Sequence, residues 1–436
     1  YRENTNLFSL SNSNFMSGNF AFDGATAQRG ASVVNRGDIT IGDSGLAAFV
    51  APGVSNEGVI VANLGQVTLA SGDAFSVDLF GDSLISLAVS SDDIAALAAA
   101  DGASLAARIV QSGRITADGG RVALTAQDAA SLVSQSINMS GVVQANTVSS
   151  KGGVITLGGS TSGEVFVTGA LNAAGQDAGE LGGLVKVLGE KVALIDGGSI
   201  NASGHDGGGE VLVGGNYLGK GPEQNAKFTV MGESASIDAS ALTDGDGGRV
   251  IIWSDENTKF FGTVNAVGTS NRTGGFLETS SKEVLVANGT ISLGDGGTWL
   301  IDPRNVSIRN ALENAGSFNG GSTFTPTGDN SVVARNDIQA LLNAGTSVEI
   351  TTGGDGIQDG TITVVDTIRK TGGGAATLLL NAAGGVDVDA AITSTSGALS
   401  VVLIANNDGG ADTIDIGANL TLLAGKLTLD TPGAGV

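Results

Sequence analysis

The 436 residues include no cysteine, one histidine, five prolines and two tryptophans. Without cysteine there is no disulfide, thiolate metal site or cysteine nucleophile, so packing and hydrogen bonds alone must hold the fold. The lone histidine, His205, sits in the glycine-rich run ASGHDGGGE. No second base or ligand can be named beside it, so Ser-His-Asp, zinc-histidine and histidine acid/base schemes have no foundation, and a solvated turn is the expected role. Basic residues are scarce too, 21 against 44 acids, a formal net charge of −23 that repels nucleic acid and anionic lipid. Charged residues are 15% and aromatics 4% of the chain, which is not the composition of an ordinary enzyme. The most apolar stretch, Ala95 to Val110, is broken by Asp101 and Arg108, so no membrane span is expected.

Glycine, by contrast, is abundant, at 70 residues. It falls short of every third position, which excludes a collagen helix, and 41% apolar content is enough to bury a long core. The glycines recur with a period. One element, an apolar residue followed by alternating and then small residues, starts at Ile39, Val59, Ile115, Val142, Leu171, Ile200, Ile237, Val264 and Ile291. Its gaps are 20, 56, 27, 29, 29, 37, 27 and 27, a period near 28 with one doubled gap and one enlarged by an insertion. A second element, a glycine doublet followed by alternating apolar residues, interleaves with it at Gly119, Gly152, Gly182, Gly208, Gly247, Gly274 and Gly296. Alternation such as Arg121-Val122-Ala123-Leu124-Thr125 marks strands. A short unit of this kind cannot bury its own apolar face, so units must stack, and the expected fold is an all-β solenoid of about 15 or 16 coils.

Helical signals are few. Ser91-Asp92-Asp93 precedes IAALAAA and marks a helical insertion near 91–110. A weaker signal covers Ala126 to Gln135. Asn336 precedes DIQALLNAG, with Gly345 where a helix-terminating glycine belongs. From Pro303 onward the strand spacing tightens, so three regions are read: 1–140, 141–302 and 303–436, with the break at Ile301-Asp302-Pro303.

The phrases NFMSGNFAFDG (Asn14 to Gly24), the run Val33 to Asp82 and GGRVALTAQDA resemble the later part of the secretion domain of filamentous-haemagglutinin-like exoproteins of two-partner secretion. GGSINASGHDGGGEVLVGGNYLGKGP, GDGGRVIIWSDENTKFFGTVNAVG and GGTWLIDPRNVSI resemble the β-helical stem of that family. The resemblance spans most of the chain. It implies a right-handed parallel β-helix, export through an outer-membrane β-barrel transporter, and a place outside a Gram-negative cell or on its surface as adhesin, matrix component or filament. The family's Asn-Pro-Asn-Gly segment is not found here, and Tyr1 and Val436 both read as cut ends. A chain without cysteine that stacks coil on coil suits such export, because it forms no periplasmic disulfide and folding can propagate as it emerges.

The remaining motifs carry modest chemistry. Arg36-Gly37-Asp38 spells an integrin-recognition tripeptide, although Gly37 is equally expected as a corner. Gly214 to Lys220 fits the spacing of a phosphate loop but is followed by Gly221 and Pro222, lacking the hydroxyl and the helix such a loop needs. Asp244-Gly245-Asp246 and Asn406 to Gly417 look like calcium-binding turns without the full ligand spacing, so no cofactor is expected and calcium is the one ion left open. Asn138, Asn201, Asn271, Asn288, Asn305 and Asn419 fit glycosylation sequons. Trp253, Trp299, Phe260 and Phe261 are expected in the core rather than on a sugar platform. The leading reading is a non-catalytic surface adhesin or matrix component contacting a host cell, glycan or matrix ligand. The alternatives are a self-associating fibre or coat and, third, a polysaccharide lyase or hydrolase.

Overall fold

The computed structural model describes residues 32–72, 107–126, 137–150, 152–158, 163–302, 305–310, 331–352, 360–406 and 412–432, with short stretches at 13, 16, 21–23, 74–77, 85–88, 316–318 and 324–326. Each coil lays down three strands in succession, for example Glu164–Val167, Ala170–Asn172 and Leu184–Leu188. Corresponding strands of successive coils pair in parallel, which builds three long faces. The first face has 14 strands, the second has nine and then three, and the third has 13. The protein is therefore a parallel β-helix of 13 coils among the described residues, fewer than the 15 or 16 expected from length. Some described strands stand outside the stack. Ala21–Asp23, Ala74–Val77 and Ile85–Ala88 form a separate antiparallel sheet, and Gly316–Phe318 pairs with Phe324–Pro326 as a hairpin.

The core is a set of ladders with the strand period. On the second face the inward residue of each three-residue strand stacks as Ile60, Ile115, Val143, Leu171, Ile200, Ile237 and Val264, all buried. This register corrects the sequence reading at two places. Val59 lies opposite Arg114 and Val142 opposite Arg114 on the other side, so Ile60 and Val143 are the inward residues. With these residues the spacings become 21, 55, 28, 28, 29, 37, 27 and 27. A one-residue slip would have turned each of those strands inside out.

After seven of the second-face strands comes a buried alanine: Ala62, Ala117, Ala145, Ala173, Ala202, Ala239 and Ala266. Its amide donates to the next coil, as from Ala173 to the Asn201 carbonyl at 2.7 Å. The glycine doublet of the third face returns tightly against this alanine, with the Gly183, Gly209 and Gly248 amides donating to the Ala173, Ala202 and Ala239 carbonyls. Small residues at both positions let the chain reverse within one coil.

Several polar groups in the core are paired. Thr229 and Thr258 continue the inward ladder of the first face, and their hydroxyls donate to the carbonyls of Trp253 at 2.6 Å and Ser280 at 2.7 Å. Near the start, Asn35 donates to Asn56 and Asn56 to Gln111, each at 2.8 Å, forming a buried amide ladder. Hydrogen-bonded burial of this kind avoids the desolvation penalty of an orphaned amide.

Among the described residues, the sequential order of the stack is broken just beyond Asp302. Val306–Arg309 pairs with Ile362–Val364 above it, and Ser331–Ala334, later in the chain, enters below it against Val284–Ala287. The chain then forms α1 (Arg335–Asn343) before returning to the third face as Ser347–Thr351. Helix α1 takes the place of a strand on the second face, between Thr290–Ser292 and Ile368–Lys370, and buries Ile338, Leu341 and Leu342. A helix is about 10 Å thick, roughly two strand spacings of about 4.8 Å, which is why the first face carries two strands at that level. The third face carries only one there. The first face thus rises three strand steps there while the third rises two. Helix α1 ends as the sequence predicts: Gly345 has φ +82°, its amide donates to Leu342 and that of Thr346 to Leu341, a Schellman closure.

The helices read at 91–106 and 127–135 lie outside the described residues. Where the description resumes, Ile109–Gln111 is a strand, so the helical reading up to Val110 is corrected at its end, and Arg121–Ala126 is likewise a strand. Among the described residues no helix is long and apolar enough to cross a membrane.

Candidate functional site

The glycine doublets stack along the corner that opens the third face. They floor a groove of about 620 Å³ running from Gly152-Gly153 past Gly182-Gly183, Gly208-Gly209 and Gly247-Gly248 to Phe276. Side chains cannot fill it: a Cβ on Gly182, Gly208 or Gly247 would stand 1.9, 1.8 or 2.0 Å from the carbonyl oxygen of an alanine in the next coil. Beside this floor, the first outward residues of the third-face strands line up as Val154, Leu184, Glu210, Arg249 and Phe276. On the turn side, Leu181 and Leu242 are more than half exposed.

Toward Phe276 the groove is bordered by the insertion behind the enlarged gap, whose Tyr217 touches the lining residues Arg249 and Phe276. Residues 214–227 run between the strands Glu210–Val213 and Phe228–Met231, where neighbouring coils cross in a few residues. The insertion covers Leu212, Ile251 and Trp253, which point outward from the sheet yet are buried. Gly214 and Gly219 hold φ +78° and +62°, and Cβ atoms on Gly215 and Gly219 would meet the Trp253 ring at 2.6 and 2.4 Å. A short 3₁₀ turn, Tyr217–Gly219, follows Asn216, whose side chain accepts from the Tyr217 amide. The Leu218 amide donates to both carboxylate oxygens of buried Glu278, at 3.1 and 3.2 Å. Lys186 donates to Glu223 at 2.7 Å, as does Asn216. Burial would raise Glu223, but these hydrogen bonds outweigh it and hold its carboxyl below the usual range.

The insertion therefore presents Tyr217 on a fixed support. Its ring meets that of Phe276 edge to face at 5.9 Å between centroids. The Arg249 guanidinium lies 5.1 Å from the Tyr217 centroid and 5.8 Å from that of Phe276, and Arg249 donates to Glu210 at 3.1 Å. The cluster combines an aromatic face, a donor and an acceptor at the mouth of a groove with no charged floor.

The sequence candidates fall elsewhere. Arg36 and Gly37 join the strands Ser32–Asn35 and Asp38–Thr40, and Arg36 pairs with Glu57 of the next coil at 2.9 Å. The Val59 amide donates to the Gly37 carbonyl at 3.0 Å, so Arg36-Gly37-Asp38 is a coil corner tied to its neighbour, with all three residues exposed. His205 contacts Asp206 in a turn. Gly214 to Lys220 is the insertion on Trp253, not a strand-to-helix phosphate loop. Asp244 receives Arg272 at 2.8 and 3.0 Å and Asp246 receives the Thr273 amide at 2.8 Å, so both carboxylates fasten turns. Asn406 bonds the Asp412 main chain. Among the described residues no group of three or more His, Asp or Glu is placed to hold a metal ion. Trp299, Phe260 and Trp253 are buried, and of the sequons Asn271, Asn288 and Asn419 are exposed. Sequence reasoning missed Glu210, Arg249, Tyr217 and Phe276 as a group. Two signals pointed to them: the shared position after each glycine doublet, and the enlarged gap.

No family model matches the sequence, and no curated protein matches it. Among solved structures, the chain is similar to the HMW1 secretion domain from Haemophilus influenzae, at 28% identity over 67% of this chain and 72% of that one, with a TM-score of 0.51. The fold defines the class, a parallel β-helix of the kind found in an exoprotein secretion domain.

Proposed function

We propose that the chain belongs to a two-partner-secretion exoprotein and works outside the cell as a β-helical adhesin or extracellular matrix component, without catalysis. The observation that carries the reading is the likeness to the HMW1 secretion domain over two thirds of both chains. Nearest-neighbour stacking and the absence of cysteine fit export of an unfolded chain through an outer-membrane β-barrel, with folding coil by coil on the far side. The non-catalytic part is supported by the use of the acids at the turns: Asp244, Asp246 and Glu180 are engaged by neighbouring backbone or side chains.

The test is surface display. Expressed in a Gram-negative host with a two-partner transporter, the protein should become accessible to external protease and antibody and should confer adherence on the cells. Retention in the periplasm whether or not a transporter is present would sink the export reading, and display without adherence would sink the adhesin reading.

A further inference from the structure

We propose that the groove lined by Glu210, Arg249 and Phe276, with Tyr217 beside it, binds a linear, uncharged polysaccharide laid along the axis of the helix. The inference rests on the adhesin reading and names the ligand class that this site would take.

The recognition end comes first. A sugar ring offers an apolar C–H face and a rim of hydroxyls. The Tyr217 ring, 40% exposed, presents a flat face whose tilt is fixed by Phe276 and Arg249. Beside it, the Glu210 carboxylate accepts and the Arg249 guanidinium donates, so adjacent hydroxyls can meet one of each. Both side chains are partly exposed, at 39% each, which leaves lone pairs and N–H groups free to reach a ligand.

The groove supplies the length. From Gly152-Gly153 to Phe276 it crosses four strand steps, roughly 19 Å, enough for a run of sugar rings. Its floor is methylene and backbone, kept clear by the clashes any Cβ would meet.

Two competitors are disfavoured by the same geometry. An extended peptide would need free main-chain groups to add as a strand. Here the amides of Gly182, Gly208 and Gly247 donate to Gly207, Asp246 and Thr273, and the carbonyls of Gly183, Gly209 and Gly248 accept from the next coil. A polyanion is disfavoured by charge. The lining holds one acid and one base, which cancel, on a chain carrying −23. An uncharged, hydroxyl-rich strand complements that surface.

The experiment is titration of the purified full chain with neutral linear oligosaccharides (cello-, manno- and laminari-hexaose), with polygalacturonate and heparin as polyanions. At least one neutral hexaose should bind. Tyr217→Ala and Arg249→Met should each weaken it about tenfold, the loss expected for one aromatic or charge-assisted contact. Leu184→Arg, which obstructs the groove away from the insertion, should weaken it as well and covers the case in which a change at the cluster disturbs folding. Circular dichroism should be unchanged in the variants scored. Failure of all three neutral hexaoses to bind, preference for a polyanion, or full affinity in Leu184→Arg and the folded cluster variants would overturn the proposal. Cells displaying groove variants that still adhere would remove this site while leaving the adhesin reading standing; loss of display would remove the adhesin reading instead.

Discussion

A Cβ on Gly219 would stand 2.4 Å from Cζ2 of the Trp253 indole, and Gly219 holds φ +62°. The insertion can therefore lie flat on the indole only with glycine at this point. Gly219→Ala combines left-handed strain with a clash against a ring that cannot move away. We expect a loss of about 1–3 kcal/mol and a shift in tryptophan emission as the insertion lifts. Unchanged emission and urea midpoint would contradict this account of how Tyr217 is positioned.

The corner glycines between the first and second faces predict a contrast. A Cβ on Gly113 would lie 2.1 Å from the Gly58 carbonyl oxygen, whereas one on Gly37 meets nothing closer than Asn35 Oδ1 at 3.9 Å. Gly113→Ala should force the two coils apart and lower stability by about 2 kcal/mol or more, while Gly37→Ala should stay within about 0.5 kcal/mol. Equal denaturant midpoints for the two variants would show that the corner relaxes more freely than its backbone contacts imply.

Buried Lys370 fastens the end of α1. Its Nζ donates to the carbonyls of Leu342 and Gly372, and burial pushes its pKa down. Lys370→Met keeps the bulk but leaves the buried Leu342 carbonyl and the partly buried Gly372 carbonyl without that donor, at about 2–3 kcal/mol. Hydrogen exchange should report the loss first in α1 and Ile368–Lys370; uniform change along the rod would argue against a local role.

Asp337, in the first turn of α1, has its carboxyl pushed up to about 6 by burial. The folded chain then holds this proton more tightly than the unfolded chain, whose value is about 4. Stability from this group is therefore full below about pH 4 and is lost as pH rises toward about 6. Asp337→Asn should flatten that part of the profile and raise stability at pH 7 by about 1 kcal/mol. A variant with the wild-type slope between pH 4 and 6 would place the titration elsewhere.

The exposed Arg36–Glu57 pair should matter little to folding. Both side chains are more than 40% exposed, so Arg36→Ala should cost less than about 0.5 kcal/mol. A larger loss would mean that this corner holds its coils by charge.

Much of the fold was legible because a β-helix repeats one local solution. Alternating residues such as Glu210-Val211-Leu212-Val213 give the strands, and the alanine and the glycine doublet give the corner. The proposed export and adhesion rest on resemblance, since no side chain in a stem need carry chemistry. The Schellman glycine Gly345 was visible because helix closure is a local property.

What the sequence determined by itself, then, was everything set by neighbours along the chain: strand period, coil length, an insertion somewhere between Ile200 and Ile237 and the end of α1. Tertiary structure decided which residues meet between coils. It chose Ile60 over Val59 as the inward residue, slipped Ser331–Ala334 beneath Val306–Arg309, and brought Glu210, Arg249 and Phe276 together with Tyr217. The reason is physical: a parallel stack makes neighbours of residues some 20 to 60 positions apart, and their register depends on how whole coils pack rather than on any local preference.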